Sequence, residues 1–212
     1  LLSHIGKART PQHIYDELNQ RKEAEGWSEY TYKKEEKKAR LAYWGITDLD
    51  DEKQVEVALQ QYAKALCDTL FVSEWDGFDI DWEPGNGFSD ADGSLNTSRL
   101  KYLVKEMGKY IGPKSDPEGK GHKLLCIDGQ IGGLTDDLND YVDYFIVQAY
   151  GSPHPGLNYT DPRKIIVTAN FEAAFNTGGY ILEQAATMPR ETYKGGVGAY
   201  RFEKDYDNVP DY

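Results

Sequence analysis

The chain has 212 residues, a formal net charge of −12 and 16 tyrosines. That length gives one large domain with a sizeable core, and the acidity argues against nucleic acid and anionic membrane surfaces as partners, leaving neutral or cationic ligands. Cys67 and Cys126 make no disulfide framework, no apolar run reaches transmembrane length, and no signal peptide is present, which says little because the chain opens with Leu1-Leu2 as if in mid-structure.

Residues 1–5 read as the end of a buried strand, running into a turn at Gly6. Thr10-Pro11 starts a polar helix that extends to about Glu25 and stops at Gly26. Residues 27–40, dominated by Tyr, Lys and Glu, read as a solvated excursion rather than core. The clearest helix is 50–70, where Val55, Leu59, Tyr62, Leu66 and Leu70 recur at spacings of three and four behind an acidic first turn. A strand at 77–83 follows, then a loop rich in Gly, Asp and Ser. Ser98 is expected to cap a second amphipathic helix carried by Leu100, Leu103, Val104, Met107 and Ile111. Short apolar strands at 123–128, 142–150, 164–170 and 195–202 complete the chain, with a helical turn near 135–139 and a helix at 180–188.

Apolar strands alternating with helices, each strand ending in a polar residue, predict a parallel sheet with helical crossovers. An open doubly wound sheet and a closed (β/α)₈ barrel both satisfy that rhythm. No P-loop and no G-x-G-x-x-G follows a strand, which lowers the first. Polar residues at the carboxyl ends of several strands suit the barrel. Six strands are readable, and a barrel needs eight.

The stretch 75–84, WDGFDIDWEP, organises the rest. In a strand, Asp79, Asp81 and Glu83 point one way and Phe78, Ile80 and Trp82 the other. Three carboxyl groups in a column repel unless protons are shared, so such a column marks catalysis or metal binding, or else a solvated acidic edge. The apolar face opposite needs a packed layer and weighs against the edge reading.

The run from Asp76 to Glu83 (DGFDIDWE) resembles the D-G-x-D-x-D-x-E motif of glycoside hydrolase family 18, which covers chitinases and endo-β-N-acetylglucosaminidases. In that family the motif lies on the fourth strand of a (β/α)₈ TIM barrel. Residues 1–6, with Ser3-His4-Ile5-Gly6, are then similar to strand three, and the later four strands to strands five to eight. The resemblance implies a single catalytic barrel domain over 1–212, lacking its first two strands and last helix in this chain.

Stacking the carboxylates on one strand suits substrate-assisted retention rather than the usual pair on separate elements. Glu83 would protonate the glycosidic oxygen. The sugar's own 2-acetamido oxygen would attack the anomeric carbon, giving an oxazolinium intermediate, while Asp81 accepts the acetamide N–H. Asp79, deeper on the strand, would share a proton with Asp81, and neighbouring charge and burial would raise the pKa of Glu83. Asp76 falls outside the alternation; it is assigned a supporting contact, with a turn or cap as the alternative. Gln148 and Tyr150 share a face at the end of a strand. The resemblance gives Tyr150 the role of donor to the acetamide oxygen. Gln148-Ala149-Tyr150 is similar to the endo-β-N-acetylglucosaminidase branch, although some plant-type chitinases share it. Asn170 and Glu172 are candidates for sugar hydroxyls, and Tyr200 for a stacking platform or for packing.

The four histidines, His4, His13, His122 and His154, lack ligand spacing, so neither a metal nor another cofactor is expected. The expected partner is an N-acetylglucosamine-containing glycan or glycoprotein. Three functions follow in order: an endo-β-N-acetylglucosaminidase acting on the core of N-linked glycans, a chitinase of the same mechanism, and a barrel that binds such glycans without cutting them. A monomer is expected, and the substrate class implies a secreted, periplasmic or cell-surface location.

Overall fold

Residues 10–83, 96–150, 159–174, 181–187 and 194–204 are described by the structure, a computed structural model. They belong to two compact units, Leu1–Thr69 with Pro84–Glu106, and Leu70–Glu83 with Met107–Tyr212. No helix among the described residues is long and apolar enough to cross a membrane.

The first unit is helical. Helix α1 (Gln12–Glu25) ends at Gly26, whose left-handed φ of 66° lets its N–H return to Lys22. Ser28 opens α2 (Glu29–Tyr43) by accepting from Thr31 N at 3.2 Å. Residues 27–40 are therefore mostly a regular helix, not an irregular excursion. Glu, Lys, Arg, Ala and Leu are strong helix formers whatever their hydrophobic spacing, and the helix still buries Arg40 and Leu41. Helix α3 (Glu52–Phe71) buries Val55, Ala58, Leu59, Ala63, Cys67 and Leu70, a stripe of helical period as the sequence predicts. Leu41, Ile46 and Ala58 form one cluster, with Trp44 and Leu49 packed against it. Helix α4 (Thr97–Met107) is capped by Asn96, which accepts from Arg99 N at 3.0 Å. The cap lies two residues before the expected Ser98. Gln60 on α3 donates to the Tyr102 hydroxyl on α4 at 2.6 Å.

The second unit carries the sheet. Strands β1 (Gly77–Trp82), β2 (Leu124–Gly129), β3 (Tyr144–Gln148), β4 (Ile165–Asn170) and β5 (Gly196–Tyr200) lie side by side in that order, every pair parallel. Short helices α5 (Thr135–Leu138), α6 (Phe171–Ala174) and α7 (Ile181–Thr187) interrupt the loops. Strand order decides between the two architectures. A doubly wound sheet reverses direction at a switch point, whereas a barrel winds one way throughout. This sheet never reverses; it is an arc of a (β/α)₈ barrel. The expected strand at 1–5 lies outside the described residues.

Ile80, Trp82, Leu125, Ile127, Phe145, Val147, Ile165 and Val167 are buried on one face of the sheet. Beneath β2 and β3, Asp143 accepts from His122 Nε2 at 2.9 Å and from Leu125 N at 2.9 Å, tying the two strand starts together. The β1 and β2 backbones run unusually close at both ends. A Cβ on Gly77 would meet Leu124 O at 2.4 Å, and one on Gly129 would meet Trp82 O at 2.4 Å. Gly129 also has φ of +117°, which L side chains rarely adopt.

Gly129→Ala is therefore expected to destabilise the chain by about 2 kcal/mol or more, from backbone strain and a contact that forces β1 and β2 apart. Gly132→Ala meets nothing within 4 Å and is the neutral control. Urea unfolding of both variants checks this, and equal midpoints would refute the close approach.

Candidate active site

Parallel pairing fixes which side chains share the face opposite the packed one. Asp79 aligns with Cys126, Asp81 with Asp128, Cys126 with Tyr144, and Asp128 with Ile146. Farther along, Gln148 aligns with Thr168, Thr168 with Gly198, and Asn170 with Tyr200. The result is a polar surface at the carboxyl ends of the strands. Asp79, Asp81 and the half-buried Glu83 come from β1 and its end, Asp128 from β2, Gln148 and Tyr150 from β3 and its end, Thr168 and Asn170 from β4, and Tyr200 from β5. Glycines at 196 and 198 on β5 leave that side of the surface open.

Gln148 lies on the same face as Asp81 and Asp128, and its neutral amide draws the proton affinity of both carboxyls down. The Thr168 hydroxyl, on the same face as Tyr150, donates to Val147 O at 2.8 Å. The Tyr150 and Tyr200 rings stack, with centroids 5.5 Å apart and planes inclined by 30°.

Asp79 and Asp81 are exposed to water on the open face, and among the described strands only β2 lies beside them. Partial burial, then the charges of Asp128 and Asp81, push Asp79 up to about 6. Asp81 is raised by burial, then by Glu83 and Asp128, with Gln148 pulling the other way. Asp128 is raised by burial and by Glu83, against the pull of Gln148. Burial and the charge of Asp128 push the Tyr150 hydroxyl up to about 12, so it stays protonated as a donor. The Cys126 thiol is likewise pushed up to about 12 by burial and Asp79, and it remains an inert thiol. Burial comes first in every case, and like charges crowded at one strand level add to it.

The surface thus brings together Asp79, Asp81, Glu83, Gln148, Tyr150 and Tyr200. Asn170 stands level with Tyr200, and its Oδ1 accepts from Glu172 N at 2.8 Å, which spends it on the start of α6. Glu172 is exposed and pairs with Arg201 at 3.4 Å. Asp76 is not gathered in. It precedes β1 at the opposite end from Glu83, roughly 20 Å away along an extended strand. Its carbonyl accepts from Leu124 N at 2.8 Å and its side chain is exposed. Asp128 is the acidic member that sequence reasoning missed. The one signal for it was the polar ending of the run KLLCID, which gains meaning only once β2 is in register with β1.

No curated protein sequence matches the chain. Among solved structures, a selenomethionine form of BT1044 carrying a glutamate-to-glutamine substitution is 27% identical, with a TM-score of 0.55 over 76% of this chain. The chain spans 57% of the length of that structure. A family 18 chitinase from Pseudoalteromonas aurantia aligns at 17% identity, with a TM-score of 0.49, over 75% of this chain and 67% of its own. The model of a family described as glycoside hydrolase family 18, BT1044-like, matches residues 27–175, which take in the whole acidic strand, β2, β3 and β4. With its parallel barrel strands and the carboxylate column on the first of them, the chain belongs to glycoside hydrolase family 18, in the BT1044-like group.

Proposed function

We propose that the chain is the catalytic part of a retaining endo-β-N-acetylglucosaminidase that cuts between the two core N-acetylglucosamines of N-linked glycans. The observation that carries this reading is the strand register that puts Asp81, Gln148 and Tyr150 on one face, with Gln148 and Tyr150 at the same strand end. Those three groups form a seat for an acetamide: an acceptor for its N–H and a phenolic donor for its oxygen. Glu83, one position beyond Asp81 on the same face, is left to work on the glycosidic oxygen.

In the first half-reaction Glu83 gives its proton to the leaving oxygen as the acetamide oxygen bonds to the anomeric carbon from the other side. Asp81 accepts the N–H and stabilises the positive charge that spreads onto nitrogen. Tyr150, pushed up to about 12, holds its proton and points a neutral donor at the acetamide oxygen before attack. In the second half-reaction the Glu83 carboxylate takes a proton from water, which opens the oxazolinium on its original face. Two inversions give net retention. Tyr200, stacked on Tyr150, offers a ring for an apolar sugar face. The Gln148-x-Tyr150 ending supports the endo-acting reading over chitin hydrolysis. Glycans of this class lie outside the cytoplasm, which argues for secretion or surface display.

Mass spectrometry of products decides the substrate. Incubation with a high-mannose and a complex glycoprotein is expected to release glycans and leave a single N-acetylglucosamine on asparagine, and cleavage of chitin oligomers alone would replace the proposal with a chitinase. Glu83→Gln is expected to lower turnover by about 10²- to 10⁴-fold while the fold is kept, and Asp81→Asn to lower it through lost acetamide orientation. Full activity in Glu83→Gln would remove it as the acid, and a wild-type chain that binds these glycans without cutting them would be a lectin-like barrel.

Asp79 supplies a pH test. Its folded pKa, about 6, stands above the ordinary value of 3.8. The folded state therefore binds this proton more tightly than the unfolded one, and stability declines as pH rises from the unfolded value through the folded one. Asp79→Asn is expected to flatten that decline and to exceed the wild type in stability near neutral pH. Urea midpoints measured across the acidic range check the sign; a variant less stable than wild type at neutral pH would contradict it.

A further inference from the structure

The Tyr150–Tyr200 stack reaches across a strand. Tyr200 closes β5, level with Asn170 on β4, and β3 pairs with the other edge of β4. Tyr150 lies two residues beyond Gln148, where the β3–β4 ladder ends. Strands two apart in a sheet are separated by roughly 9.5 Å. The two ring centroids are nevertheless 5.5 Å apart, with planes inclined by 30°, so the rings lean toward each other over β4. On the same face of β5 the preceding residues are Gly198 and Gly196, so no side chain of its own strand supports the Tyr200 ring. The end of β5 is held in another way. Arg201 has a φ of 57°, and it is the one non-glycine among the described residues in that left-handed region. L side chains adopt such a backbone rarely, and it persists where the surroundings over-determine it. Arg201 donates to Glu172 on α6 at 3.4 Å and to Glu203. Phe202 lies against Phe171 of the same helix, with centroids 5.5 Å apart. The ion pair is exposed and weak by itself, but Phe171 is buried and gives the second tie its hold. Two successive residues beyond Tyr200 are thus tied to two successive residues of α6.

We propose that Tyr200 is a positioning residue for Tyr150: stacked on it from the fastened end of β5, it fixes the direction in which the Tyr150 hydroxyl points. The proposal rests on the reading of Tyr150 as donor to the acetamide oxygen. A phenolic hydroxyl sits at the far end of two torsions, so a small drift of the ring displaces it by an amount that matters to a reacting oxygen. A misplacement of about 1 Å can cost on the order of 10²-fold in rate. A ring stacked on Tyr150 restricts that drift by acting on the ring rather than on the hydroxyl. The outer face of Tyr200 can still meet a sugar, and the two roles separate kinetically. A platform that holds ground state and transition state alike shows in KM, whereas a brace for the reacting geometry shows in kcat.

The test is Tyr200→Leu, with Tyr200→Phe as the variant that keeps a ring, each made alone and together with Tyr150→Phe. All are assayed for kcat and KM on a chitobiose-core glycopeptide and for thermal midpoint. Tyr200→Leu is expected to lower kcat on the order of 10-fold, and Tyr200→Phe to recover most of that loss. With Tyr150→Phe already in place, Tyr200→Leu is expected to lower kcat by about twofold or less, since no hydroxyl remains to be aimed. Losses that multiply in the double variant would overturn the proposal. So would a raised KM with wild-type kcat in Tyr200→Leu, which marks a sugar platform alone. Tyr200→Phe as impaired as Tyr200→Leu would overturn it too, and a thermal midpoint lowered equally in both would assign the residue to packing. Wild-type kcat in Tyr150→Phe, or a wild-type chain that does not cut the glycopeptide, would overturn the proposed reading of the site and this inference with it. An impaired Tyr150→Phe beside an unaffected Tyr200→Leu would remove this inference alone.

Discussion

The pairing of β1 with β2 governs the rest of the polar surface. Two backbones approach so closely that glycine is needed at both ends of the contact, at Gly77 and Gly129. That contact sets Asp81 level with Asp128. A slip of one residue would turn Asp79 and Asp81 toward the packed layer and bring Ile80 and Trp82, 3% and 2% exposed, out of it. The buried apolar face therefore enforces the register, and the register assembles the carboxyl groups. Chemistry on one side of the strand depends on packing on the other.

The carboxyl groups work against the fold. Asp79, Asp81 and Asp128 are all held above the ordinary carboxylate range, first by burial and then by one another's charge or that of Glu83. A folded state that raises an acid's pKa is destabilised by that acid's ionisation. The compensation lies across the sheet, where Trp82, Leu125, Ile127, Phe145 and Val167 are almost wholly out of water. Each fully buried side chain of this kind contributes about 1.5–3 kcal/mol. A wide apolar layer can thus carry a strained polar layer above it, and the acidic strand contributes residues to both.

Much of this was legible in the sequence because it rests on local signals. Alternation in DGFDIDWE fixed the faces of β1, and the polar endings of the later strands located β2 to β5 within one or two residues. The helix 29–43 was read as an excursion because its signal is propensity, in runs of Lys, Glu and Ala, and not hydrophobic spacing. The α4 cap lies at Asn96 rather than Ser98 because three successive residues, Asn96-Thr97-Ser98, can all cap and only geometry chooses. Asp76 looked like a member of the acidic group on sequence proximity, but a strand carries its two ends far apart. Asp128 was missed for the complementary reason. It is 47 positions from Asp81 in sequence and level with it across the sheet, a relation that no local pattern encodes.

The neutral character of the groups facing the carboxyls is itself a constraint on ligand. Gln148, Tyr150, Thr168, Asn170 and Tyr200 are all uncharged at neutral pH, with Tyr150 held near 12. A lysine or arginine in the place of Gln148 would pair with Asp81 and Asp128, pull their proton affinities down, and occupy the oxygens with bonds that a neutral amide could not displace. Gln148 instead offers both carboxyls only a neutral amide, which lowers their proton affinity less than burial raises it. The acidic group then keeps a high affinity for protons. An acetamide meets it well, since its N–H is a weak donor in the ground state and a strong one once positive charge spreads onto nitrogen. Under the proposed function, such a surface would bind the developing oxazolinium more tightly than the amide it comes from, and that difference would accelerate the reaction.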